Sequence, residues 1–186
     1  MAYFWIENAN LQESGRLPKG AQPFAQAAPR LLPPQISALH QAFYQWGSLG
    51  FSPGAMRPAR IWLASNSTPI FQFANGRRPQ PLMQVGLARE LAAWLVLLDG
   101  HMETFVVIAR ARALWTVDEL AHALVFMTPA YLPPELTNVA IPVHQWQRTA
   151  QALATAVADG PLAGAPTDRH WKEISGEVEE GRSRGE

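Results

Sequence analysis

The chain has 186 residues, of which 48% are hydrophobic and 16% charged, and its 15 Lys/Arg balance 15 Asp/Glu with no cysteine present. That length suits one domain with a sizeable core, and zero net charge argues against wholesale attraction to nucleic acid or an anionic membrane. The lack of cysteine excludes disulfides, thiolate nucleophiles and Cys-held zinc or iron–sulfur sites.

Along the chain, Tyr3-Phe4-Trp5-Ile6 reads as a short strand, and Asn8-Ala9-Asn10 as the turn after it. Residues 11–34 carry Gly15, Gly20 and five prolines without a period, so a long loop is expected. From Gln35 the spacing turns helical. Ile36, Leu39, Phe43 and Trp46 form one stripe, preceded by Pro33-Pro34 and closed by Gly47 and Gly50. Arg60 to Ala64 and Pro69 to Ala74 then read as two strands, with Asn75-Gly76 ending the second.

Residues 82–98 are the most apolar element, and Leu87, Leu91, Trp94, Leu95 and Leu98 align at helical spacing. A strand over Leu91–Leu98, turned back through Asp99-Gly100, is the competing reading; the dominance of Ala and Leu favours the helix. Thr104-Phe105-Val106-Val107-Ile108 reads as a strand by its β-branched composition. Thr116-Val117-Asp118-Glu119 fits a capping box opening a helix to about Met127. A last helix is expected from about Val143 to Ala158, with the stripe Trp146, Ala150, Leu153 and Val157. The segment 161–186 is rich in polar residues, Gly and Pro, and is expected to be a solvated, disordered tail to a single 1–160 domain.

Up to residue 112 the order is strand, helix, strand, strand, helix, strand. This is the βαββαβ order of the ferredoxin-like α+β fold, with two additional C-terminal helices. That fold puts the first and third strands in the middle of the sheet.

Candidate chemistry is sparse. Asp99, His101 and Glu103 would share one face of an extended segment and are the nearest thing to a metal cluster. The same residues also suit a polar turn in which Asp and Gly end a helix and His complements its dipole. No Gly-x-Ser-x-Gly elbow and no glycine-rich phosphate loop occurs, so the sequence nominates no catalytic residue and no cofactor.

Tyr3, Trp5, Phe71 and Phe73 fall on the two central strands of the expected sheet, where aromatic side chains can stack nucleic-acid bases. Arg57, Arg60, Arg77 and Arg78 in flanking loops would meet phosphates. The competing reading packs those four rings under the helices, leaving Phe4, Ile6, Ile70 and Gln72 outward, and Gln72 favours it. Charge is also uneven: residues 1–112 hold ten Lys/Arg against five Asp/Glu, and residues 113–186 the reverse. The charged share lies below the usual figure of about 25%. A covering partner would explain that, as would a surface of Gln, Ser, Thr and Asn.

Seven tryptophans are spread along the chain. Trp171 stands in the polar tail with Ile174 nearby and reads as a docking anchor. The expectation is therefore a non-catalytic accessory or assembly subunit that binds a protein partner through Trp171 and Ile174, the 161–186 tail and the 11–34 loop. The alternative is an RNA- or single-strand-binding subunit, and a metal-dependent hydrolase stands third. The composition also carries no reason to expect a membrane. The N-terminus lacks the basic-then-apolar pattern of a secretory signal, and Leu91–Leu98 is far shorter than the roughly 20 residues of a membrane span. A cytoplasmic location is expected.

Overall fold

The computed structural model describes residues 1–52, 56–74, 77–81, 84–137 and 145–160. The chain opens with a hairpin of β1 (Ala2–Glu7) and β2 (Asn10–Ser14). Its two-residue turn places Asn8 at φ 50° and Ala9 at φ 56°. Two consecutive positive φ values are what a tight hairpin needs to match strand twist. Asn tolerates that region, and Asn10 Nδ2 donates to Asn8 O at 2.8 Å to close the turn.

The expectation of one long loop over residues 11–34 is thus corrected. Beyond β2, a turn in which Ala21 N donates to Pro18 O puts Gly20 at φ +82°. The chain then forms β3 (Gln22–Pro23), the single-turn helix α1 (Phe24–Ala27) and a 3-10 turn over Ala28–Arg30. Pro23 fits because it lies on an edge strand, where a missing N–H breaks no ladder.

Next comes α2 (Pro33–Ser48), opened by proline and by Gln35, whose side chain accepts from the Leu32 N–H at 2.9 Å. Its inner stripe is Ile36, Leu39, Phe43 and Trp46, at the spacing the sequence displays. Then β4 (Phe51–Ser52), β5 (Ile61–Leu63), β6 (Pro69–Phe73) and β7 (Gln80–Pro81) follow. The main sheet is antiparallel throughout, in the order β2-β1-β6-β5-β3, while β4 and β7 pair by themselves.

The first three expected strands keep their places: β1 and β6 are interior, and β5 lies beyond β6. The fourth does not. Thr104–Ile108 belongs to a helix, α4 (Thr104–Arg112), and the place beside β1 is taken by β2. The reason is visible in α4's burial: Val107, Ile108 and Ala111 face inward at helical spacing, against α2 and α7. Tertiary packing overrides the β-propensity of this run.

The remaining helices are α3 (Gln84–Asp99), α5 (Val117–Val125), the single-turn α6 (Pro134–Thr137) and α7 (Gln145–Ala158). Thr116 caps α5 as its sequence predicts, accepting from Glu119 N at 3.2 Å while Glu119 accepts from Thr116 N at 2.7 Å. Helix α3 is the hub. Every residue from Leu91 to Leu98 is buried, so it is enclosed on all sides rather than amphipathic. The sheet contributes Phe4, Ile6, Ile61, Leu63 and Phe71 to the same continuous core, with Trp46 of α2 set edge-on to Phe71 at 5.1 Å.

Candidate functional site

Two places bring chemistry-bearing side chains together: the corner where α3 turns into α4, and the sheet face turned away from the core. At the corner, Gly100 N donates to Val96 O and His101 N to Leu98 O, ending α3. The Asp99 side chain is fully buried there. One of its oxygens, Oδ1, accepts from the Thr104 hydroxyl. The other, Oδ2, accepts from Arg148 Nη2 at 2.9 Å, Arg148 Nε at 3.3 Å and Thr149 Oγ1 at 2.9 Å. Arg148 Nη2 also reaches Asp99 O at 3.4 Å. Asp99 therefore pins the start of α4 and the start of α7 to the end of α3.

This corner forms one wall of a cleft of about 810 Å³. His101, Met102, Glu103, Thr104 and Val106 line that side, with Asp99, Gly100 and Arg148 at its base. The opposite wall is the approach to α2: Ala28, Pro29, Leu31, Pro33 and Ile36. Along the chain, two exposed apolar residues fall between lining ones without lining the cleft themselves. Leu32 is 65% exposed and Phe105 80%. The His101 ring packs edge-on to Phe24 at 5.3 Å, and burial pushes its pKa below the ordinary histidine value.

The expected metal candidates Asp99, His101 and Glu103 are neighbours in space, but their donors do not converge. Both Asp99 oxygens are engaged, and a guanidinium 2.9 Å from Oδ2 opposes a second cation there. Among the described residues no group of three His, Cys, Asp or Glu could hold a metal ion. The arrangement is that of a helix-ending polar turn.

The aromatic candidates separate. Tyr3 pairs with Gln72 and Phe4 with Phe71, so Tyr3 and Trp5 point to one face of the sheet while Phe71 and Phe73 point to the other. Directly opposed residues in an antiparallel pair share a face. Phe71 is buried in the core, and Phe73 meets Phe4 edge-on at 5.0 Å. Tyr3 and Trp5 are half-buried on the outer face, where Gln72 Nε2 donates to Tyr3 Oη at 3.4 Å and Trp5 Nε1 to Glu7 Oε2 at 3.3 Å. Neither grouping of the four rings on one face holds, because the β1–β6 register sets their parity.

Of the loop arginines, Arg57 pairs with Glu135 and Arg78 with Glu13, each at 3.2 Å, while Arg60 and Arg77 are exposed. Trp171 and Ile174 lie outside the described residues. Sequence reasoning missed Leu32, Phe105 and Arg148. Assigning Phe105 to a strand hid its exposure at the start of a helix, and nothing local links Arg148 to an acid 49 positions earlier.

Among the described residues, no helix is long and apolar enough to cross a membrane. Comparison with protein-family models, with curated proteins and with solved structures found no match, so the reading of this mixed helix-and-strand chain rests on its own geometry.

Proposed function

We propose that this chain is a non-catalytic accessory or assembly subunit of the cytoplasm that binds a protein partner at the cleft between the α2 approach and the α3–α4 corner. One observation carries the reading: a cleft of about 810 Å³ is lined by Leu31, Ile36, Met102 and Val106, and the chain neighbours of its lining residues include Leu32 and Phe105, 65% and 80% exposed. Exposed large apolar side chains beside a cleft are the usual anchors of protein recognition. Burying the Phe105 ring alone is worth about 2 kcal/mol. The fitting occupant is a peptide segment with two apolar anchors, a basic group for Glu103 and an acidic group for the outer edge of Arg148. The buried Asp99 clasp, bonded to Thr104, Arg148 and Thr149, fixes the α3–α4 wall, as a preorganised site requires.

The test is purification from the native host of tagged wild type beside Phe105→Ser and Leu32→Ser. A stoichiometric protein partner retained by the wild type and lost, at least about tenfold, by both variants is expected, since tenfold corresponds to about 1.4 kcal/mol. Retention of that partner by both variants overturns the reading.

A second reading, an RNA- or single-strand-binding subunit, draws on Tyr3 and Trp5 sharing the outer sheet face beside Gln72, with the exposed Arg77 beyond the end of β6. Stacking on two rings and phosphate contacts would supply its affinity. Nuclease-sensitive absorbance at 260 nm that disappears with Arg77→Ala and Tyr3→Ala would favour it over the first.

A further inference from the structure

We infer that the outer edge of β2 is a pairing surface for a second copy of this chain, joined antiparallel about a two-fold axis through Gln12.

The two edges of the main sheet are finished differently. One ends in β3, which has two residues, the second of them Pro23. Shortness and proline are the usual protections of an exposed edge. The other ends in β2, which pairs with β1 over five consecutive residues without a bulge. It contains neither proline nor lysine, and its only charged residue, Glu13, is matched by Arg78 at 3.2 Å. No described strand lies beyond it.

The hairpin fixes which backbone groups face outward. Across the two-residue turn at Asn8-Ala9, Glu7 and Asn10 are the pair that exchanges hydrogen bonds, and the alternation continues to Trp5 with Gln12 and Tyr3 with Ser14. The N–H and C=O groups of Leu11 and Glu13 therefore point away from β1. They stand evenly on either side of Gln12. Rotating a copy by a half turn about Gln12 sets Leu11 opposite Glu13 of the second copy, and Glu13 opposite Leu11 of the second copy. Every outward donor then meets an acceptor, as buried backbone groups require.

The side chains accept the same register. Glu13 lies on the inner face opposite Phe4 and is nevertheless exposed, so the helices stop short of this edge and leave room for a neighbour. Leu11 shares that face and is only partly buried against the core, and the stem of Glu13 from the second copy would cover it. The two Glu13 side chains become diagonal neighbours, and each arrives with its own Arg78, so two acids meet two bases. Sliding the copies until Glu13 faces Glu13 would set like charges directly opposite, which disfavours that register. The contact is small. Five residues a side is well below the roughly 20–30 of a stable interface, so the pair forms and separates with concentration.

The test is sedimentation of the full chain from about 10 μM to about 1 mM, where the average mass should rise from 20.5 kDa toward twice that value. Glu13→Pro removes an outward N–H and spares the bonds to β1, as proline does on an edge strand. It should weaken association at least about tenfold, because two-fold symmetry counts the loss twice. Glu13→Gln keeps the N–H and should associate like the wild type. Amide exchange is the second readout: Leu11 and Glu13 should gain protection with concentration, while Gln12 and Ser14, bonded to β1, should not change. A wild type that stays monomeric to about 1 mM overturns the inference, as does association that Glu13→Pro leaves intact. If Glu13→Pro fails to fold, exchange in the wild type decides. Protection of Leu11 and Glu13 that rises with concentration sustains the pairing, and protection confined to other residues overturns it.

Discussion

Helix α3 is buried along its whole second half, yet its two seams are built from opposite materials. Toward α2 and the α4–α5 connection the contact is aromatic. Phe43 stacks on Trp94 at 4.8 Å and 10°, and Trp115 closes the group at 6.3 Å from Phe43. Toward α7 the contact is polar: Asp99 with Arg148 and Thr149, and Gln145 Nε2 donating to Val96 O at 2.6 Å. An aromatic seam gains from burial and packing and tolerates changes that conserve volume. A polar seam gains little net energy but penalises any partial break, because the surviving group stays buried and unpaired. The polar seam also lies against the cleft, since Asp99 and Arg148 line it, so its integrity sets the geometry of the α3–α4 wall.

The sharpest way to break the comparison is to cut the polar seam from each side in turn. Arg148→Ala leaves the Asp99 carboxylate buried with only two hydroxyl donors, and should cost about 3–5 kcal/mol. Asp99→Asn leaves Arg148 facing a neutral amide, but Arg148 is half-exposed and water can take up its charge, so about 1–3 kcal/mol is expected. Urea unfolding of both variants measures the difference. Equal losses would mean that the guanidinium, rather than the buried carboxylate, is the group that cannot be left alone.

The aromatic seam hides one titratable group. His40 is buried against Trp94 and Trp115, and accepts the Trp94 indole N–H on Nδ1 at 3.3 Å. Its Nε2 makes no hydrogen bond of good geometry among the described residues, although the Val107 backbone lies close enough to act on the ring. Burial pushes its pKa from 6.5 down to about 3, outweighing the opposing Val107 backbone. The folded state therefore keeps the ring neutral, while the unfolded chain protonates it below about pH 6.5. Unfolding takes up a proton throughout the window from 6.5 to about 3, so acid favours unfolding there. Stability should fall by about 1.4 kcal/mol per pH unit from this group, close to 3 kcal/mol over two units. The lowered pKa of His101 acts in the same direction. Replacing the ring by a neutral acceptor in His40→Gln should flatten the profile by that slope. Parallel profiles for the two proteins would remove His40 as the cause.

The two seams also differ in how legible they were. Phe43 and Trp94 fall on apolar stripes whose period reveals both helices, and the Thr116 capping box announces α5. Strands β1, β5 and β6 were legible for the same reason. Strand β2 was not, because Asn10, Gln12, Glu13 and Ser14 give an edge strand no apolar pattern. In α7 the sequence nominates Trp146, Ala150, Leu153 and Val157, whereas the buried residues are Gln145, Thr149, Leu153 and Ala156. The helix is rotated so that two polar side chains enter the core, where Thr149 donates to Asp99 and Gln145 to Val96 O. The face parity of Tyr3 and Phe71 depends on the register of two strands nearly 70 residues apart, which no local pattern encodes. The cleft was illegible for a related reason: its two walls and its base come from three distant segments.

The smallest perturbation addresses the polar seam where it is tightest. A Cβ on Gly100 would lie 2.6 Å from Gln145 Nε2 and 3.3 Å from Leu97 O. Gln145 is buried, and its Nε2 is bonded to Val96 O, so it cannot swing into solvent without losing that bond. Val96 O would keep the Gly100 N–H, which limits the loss to the amide's side. Gly100→Ala should therefore destabilise by about 1–2 kcal/mol. The cause is separable by a double-mutant cycle. Gln145→Ala removes the obstructing atoms, so the double variant should be more stable than the two single losses predict, by at least about 0.5 kcal/mol. Strict additivity would shift the cost to Leu97 O and the helix end itself. The seam would then tolerate crowding from α3 as readily as the aromatic one does, and the contrast between them would reduce to the buried charge.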